Sequence, residues 1–216
     1  MARQERAVRT RETLIRSAAE IFDREGFTVA SLTTISTQAG VSNGALHFHF
    51  ASKAALADAV EEAALLRLRI LTDRPSADGP GRLQHLVDAT HGLARGLRED
   101  VVLRAGFDLS GEPARPPRTD LRAHWRGWVA ALLEKACQER ELAPGVAPEG
   151  AVTAVVAATV GFEVLGNRDA SWLAAGTVEA FWRLMLPMLA AEQLLPRLEA
   201  EGTALLNGPI GLLNPS

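Results

Sequence analysis

Apolar residues recur at helical spacing in one segment after another of this 216-residue chain, and no stretch of any length alternates apolar and polar residues as a half-buried strand would. Ile15, Ala18, Ala19 and Phe22 follow i, i+3, i+4, i+7. The same spacing recurs in Leu56, Ala59, Val60 and Ala63, in Leu83, Leu86, Val87 and Thr90, and in Trp125, Trp128, Val129 and Leu132. A chain with this single period buries its apolar stripes by packing helix on helix, so the expected fold class is all-α.

Punctuation sets the boundaries. Gly26 can close a first helix in a left-handed cap. Ser31 is placed to cap a short helix over 32–39, Gly40 to end it, Ser42 to cap a second short helix over about 43–48, and Ser52 to cap a long one to about Ile70. The stretch Asp73 to Gly81 reads as a loop. Helices are expected next at about 82–99, 101–110, 120–140, 148–167, 172–190 and 192–206. Pro187 should kink or end its helix.

Two short helices joined by Ala39-Gly40-Val41-Ser42 outline a helix-turn-helix. Ile35, Ala39, Val41, Leu46 and Phe50 would form a small core with Ile15, Phe22 and Phe27. Such a core holds the second helix with its first residues projecting, the arrangement that reaches base edges in the DNA major groove. An ordinary α-hairpin has the same outline, so the outline alone leaves both readings open.

Charge bears on this choice. The net charge is −3, which argues against a generally basic polyanion binder, yet residues 1–17 hold five arginines against Glu5 and Glu12. Residues 54–216 hold 16 basic and 21 acidic groups. A basic end on an acidic body fits local contact with a polyanion, or a solvated helix face. The opening MARQERAVRTRE has no apolar run of a signal peptide, and the uncharged stretch Gly150–Phe162 is shorter than a bilayer span of roughly 20 residues. A single cysteine, Cys137, excludes an internal disulfide. A cytoplasmic protein is expected.

The residues themselves are more specific than the outline. Thr10 to Phe27, TRETLIRSAAEIFDREGF, closely resembles the first helix of the TetR family of repressors. Val41 to Lys53, VSNGALHFHFASK, resembles that family's recognition helix and the entry to its fourth helix. The resemblance covers residues 3–60. A narrower one, to the γ-butyrolactone receptors of actinomycetes and their pseudo-receptor relatives, is carried by MARQERAVRT, by Val101–Leu109 (VVLRAGFDL), by the Pro116-Pro117 turn and by Trp125. Family members often carry lysine where this chain has Asn43 and tyrosine where it has His47, which puts the operator sequence and affinity in question.

The resemblance implies a helix-turn-helix DNA-binding domain over 1–53, with the helix 52–70 shared as linker, and a larger helical ligand-binding and dimerisation domain over 54–216. Expected DNA-facing residues are Arg3, Arg6, Thr33, Ser42, Asn43, Gly44, Ala45, His47 and Lys53, with Lys53 on a phosphate and Arg3, Arg6 and Arg9 in a mobile arm or a disordered tail. Expected ligand-binding residues are Phe107, Trp125, Trp128, Val155, Ala158, Thr159 and Phe162. By composition alone these residues read rather as ordinary core, and the resemblance at Trp125 favours the ligand role for that residue only. The helices at about 148–167 and 172–190 are expected to form a homodimer, which would read a palindromic double-stranded operator. The implied signal is a γ-butyrolactone, a related furan or butenolide, or an antibiotic.

An enzyme is not expected. His47, His49, His85, His91 and His124 include no i, i+4 pair, and HExxH, GxSxG, P-loop and GxGxxG patterns are absent, so neither metal nor cofactor is implied. A protein of the same fold that sequesters ligand or partner, with weak or lost DNA binding, is the alternative that Asn43 and His47 leave open.

Overall fold

The computed structural model describes residues 2–73 and 81–203, and side chains from Gln4 onward. The loop expected over Asp73–Gly81, the side chain of Arg3 and residues 204–206 of the last expected helix lie wholly or largely outside that description.

Nine α-helices are described: α1 (Ala2–Val29), α2 (Leu32–Gln38), α3 (Asn43–His49), α4 (Lys53–Thr72), α5 (Arg82–Glu99), α6 (Val101–Ser110), α7 (Leu121–Gln138), α8 (Pro148–Gly166) and α9 (Ala175–Leu189). Among the described residues the only extended pairing is an isolated bridge between Leu142 and Ala190. The chain is all-α. It divides into two compact units, one of residues 1–69 with 100–122 and the other of 70–99 with 123–216.

In the first unit, α1 carries a kink at Gly26, whose φ of 77° is open to glycine at little cost. Gly40, at φ 67°, makes the turn between α2 and α3. The apolar face of α1 (Leu14, Ile15, Ala18, Ile21, Phe22) packs with Ile35, Leu46 and Phe50, and with Leu56, Val60, Val102 and Leu109 from α4 and α6. Phe27, Ala39 and Val41 lie against this core, so the small core expected from the sequence forms with every expected member. Two ion pairs fasten α6 into it. Arg104 grips Asp23 of α1 with Nε at 2.7 Å and Nη2 at 2.9 Å, and Arg67 of α4 meets Asp100, the N-cap of α6, at 2.6 Å.

In the second unit, α5 packs against α8 and α9. Its core holds Leu83, Leu86, Val87, Val129, Leu133, Val155, Val178 and Leu186, with Trp125 and Trp182 fully buried. Gln84, Asp88 and His91 on one face of α5 hold the segment after α9 by its backbone. The Gln84 amide exchanges hydrogen bonds with the backbone of Glu199, Asp88 accepts from both the N–H and the hydroxyl of Thr203, and His91 Nε2 meets the Ala200 carbonyl at 2.9 Å.

Two expectations need correction. The mobile arm or tail expected at Arg3, Arg6 and Arg9 is instead helix, continuous from Ala2. Strong helix formers fill this stretch, and no glycine or proline precedes Gly26. The helix expected over 192–206 is not formed in its described part. Only a single 3-10 turn, Leu195–Arg197, occurs there, because Pro196 has no N–H to continue the ladder. Pro187 is tolerated near the end of α9, which stops at Leu189.

Candidate nucleic-acid interface

All three serines act as expected at helix starts. Ser31 Oγ accepts from Thr34 N, Ser42 Oγ from Ala45 N and Ser52 Oγ from Ala55 N, each at 3.1 Å. These bonds satisfy backbone donors that a helix start leaves without partners. The Ser42 cap fixes the first turn of α3. Leu46 and Phe50, four residues apart, are buried, and this anchors the inner face. Asn43, Gly44 and His47 therefore point to solvent, with Ala45 half-buried beside them. Thr33 is exposed on α2 and Arg6 on α1. Arg11 lies over the Phe50 ring at 5.4 Å.

The sequence reading missed Phe48, which is 81% exposed on α3. The signal was available: Phe48 falls midway between the inward Leu46 and Phe50, and hence on the opposite face. A bare phenyl ring there is costly in water and suited to apolar contact with a thymine methyl.

Lys53 sits otherwise than its expected phosphate role suggests. Its Nζ donates to the carbonyls of Phe27 (2.7 Å), Thr28 (3.1 Å) and Ala30 (2.9 Å) and lies 4.7 Å from the centre of the Phe27 ring. Arg115, from the loop after α6, lies 5.5 Å from the same ring. Arg115 is also held by Glu61 at 2.7 Å and by Asp58, both on α4, and Glu61 is fully buried. The backbone N–H groups of Arg118 and Thr119 complete the shell of Glu61.

Six of the seven expected ligand residues fall in the second unit and one, Phe107, in the first. Trp125 Nε1 donates to Thr159 Oγ1 at 2.9 Å, and the Thr159 hydroxyl in turn reaches the Val155 carbonyl at 2.9 Å. Trp128 stacks on Trp125 with ring centres 5.1 Å apart. Ala158 is half-buried on the same helix, and Phe162 meets Phe181 edge-on at 5.7 Å. Phe107 is buried in α6 and belongs to the first unit. His85 was not anticipated. Its ring stands edge-on to Trp128 at 5.3 Å, and its Nε2 is buried without a partner among the described residues. Burial pushes the His85 imidazole below its usual pKa, opposed by a hydrogen bond to the Thr72 backbone.

A separate surface groove of about 780 Å³ runs between α7 and α8, lined by Ala130, Val152, Val156 and Val160 with Arg126 and Glu134 on its walls. Leu184 and Met188 of α9 and Val164 of α8 are also exposed. Among the described residues, no cluster of histidine, cysteine and carboxylate side chains is arranged to hold a metal ion.

A capped second helix seated on a three-helix core outlines a helix-turn-helix, the module that carries a helix into the DNA major groove in many transcriptional regulators. Residues 14–60 match the family model of bacterial regulatory proteins, tetR family. The A-factor receptor protein of Streptomyces griseus is 32% identical over 203 residues, which are 94% of this chain and 71% of that protein. The chain belongs to the TetR family and is therefore a regulator, not an enzyme. A crystal structure of a γ-butyrolactone receptor described as ArpA-like aligns with a TM-score of 0.75 at 28% identity, covering 94% of this chain and 97% of that one. CprB of Streptomyces coelicolor, solved in complex with its biological operator sequence, aligns with a TM-score of 0.73 at 30% identity over 89% of this chain and 94% of that one.

Proposed function

We propose that this chain is a cytoplasmic, ligand-responsive repressor that binds a palindromic operator as a homodimer and is released by a small signalling molecule. The outward face of α3 carries this reading. Asn43, Gly44 and His47 stand exposed behind a formed Ser42 cap, in a chain related to the A-factor receptor. Arg3, Arg6, Thr33, Ser42 and Ala45 are assigned to the DNA-facing set with them. Phe48 joins it as an apolar reader.

The ligand class is a γ-butyrolactone, a related furan or butenolide, or an antibiotic. The site is the aromatic wall of Trp125 and Trp128 with Val155, Ala158, Thr159 and Phe162. An apolar wall with few polar groups suits a neutral lactone. The apolar outer residues of α8 and α9 support a dimer through 148–167 and 172–190, which would set two recognition helices about 34–36 Å apart on one DNA face. DNA reading is assigned to 1–53 and ligand binding with dimerisation to 54–216, the helix 52–70 linking them. Ligand acts through its different affinity for two settings of that linking helix.

The test is a gel shift on the promoter upstream of the protein's own gene. A sequence-specific, salt-sensitive shift is expected. No such shift at any neighbouring promoter would overturn the repressor reading.

A further inference from the structure

The ends of helices leave carbonyls without partners, and a cation is favoured there. Past the kink at Gly26, the carbonyls of Phe27 and Thr28 in the last turn of α1, and of Ala30 just beyond it, face one point. Lys53 Nζ fills that point. An ammonium has three N–H donors and no acceptor, so these three bonds use its full capacity. The Phe27 ring adds a cation–π contact on one side, and Arg115 approaches the same ring.

The position of Lys53 in the chain gives these contacts their meaning. It is the first residue of α4, and Ala30 is the last residue before the Ser31 cap of α2. Everything between them, residues 31–52, is the helix-turn-helix itself. One side chain thus ties the exit of this excursion to its entrance. We propose that Lys53 is a positioning residue for operator binding: it clasps the base of the helix-turn-helix and fixes the pose of α3, rather than neutralising a DNA phosphate. This rests on the repressor reading above.

The test compares wild type with Lys53→Gln, both as full-length chain, at a temperature where circular dichroism shows both folded. Two probes are used: a duplex enriched by the wild type from a random-sequence pool, and an unselected random duplex of the same length. Each affinity is measured across a salt series. Expected for Lys53→Gln is a loss of roughly tenfold or more on the enriched duplex, with the log–log salt slope unchanged and binding to the random duplex unaltered. Phe27→Leu, which keeps the ammonium and removes its ring partner, is expected to move the affinity in the same direction by less.

A salt slope reduced by about one on both duplexes would overturn the proposal in favour of a direct phosphate contact. A lower melting temperature with both affinities intact would overturn it in favour of a role in stability alone. A wild type that enriches no duplex would overturn the repressor reading and this proposal with it. The first two failures, by contrast, occur in a protein that binds its enriched duplex.

Discussion

Asn43 and His47 stand on the exposed side of α3. An asparagine amide can pair with both N6 and N7 of adenine, whereas lysine brings charge. Asn43→Ala is expected to cost about 1–3 kcal/mol of operator affinity and to relax preference at one base position, with the salt slope unchanged. Fluorescence anisotropy on single-base operator variants would check this, and a change in salt slope without loss of base preference would contradict it. His85 gives a prediction of a different kind. Its pKa is lowered in the folded protein by burial, so the neutral ring is the native form. Its contribution to stability is therefore present above about pH 6.5 and is lost as pH falls from there through the lower native value. His85→Phe should flatten the acid side of the stability curve, as read by urea midpoints across that window.

The helices were legible wherever a side chain marks their ends. Ser31, Ser42 and Ser52 announce three starts, and each makes its bond to the backbone N–H three residues on. Ser42→Ala is expected to cost about 1 kcal/mol of stability, measured by urea denaturation. The clasp at Lys53 was not legible, because its partners are backbone carbonyls that no residue type advertises. His85 was hidden for a related reason. The residue it meets, Trp128, lies on another helix, and periodicity gives each helix a buried face without saying which faces meet. The Glu61–Arg115 pair was equally invisible, since its members sit on α4 and on a loop beyond α6. Both are buried, so removing one strands the other. Glu61→Ala should lower stability by about 3–5 kcal/mol, and an unaltered urea midpoint would show that the pair contributes little.

At the scale of the whole chain, family membership came through the residues around the helix-turn-helix and not through the fold pattern, which an ordinary α-hairpin shares. The apolar outer faces of α8 and α9 bear on assembly. Leu184, 68% exposed in the single chain, is expected to be covered in the dimer. Leu184→Glu should shift the protein to the monomer in analytical ultracentrifugation and weaken operator binding together with dimerisation. Trp125→Ala should abolish ligand-triggered release from an operator while leaving binding to DNA intact. Release by producer-culture extracts with an unchanged dose dependence would remove Trp125 from the ligand site.

Residues 31–52 enter at Ala30 and leave at Lys53, whose ammonium joins the two ends, and Ile35, Leu46 and Phe50 seat the segment in the core of the first unit. A hybrid carrying another regulator's 31–52 sequence between this chain's own Ala30 and Lys53 would keep its seat and take on the donor's operator, while still answering to this chain's signal.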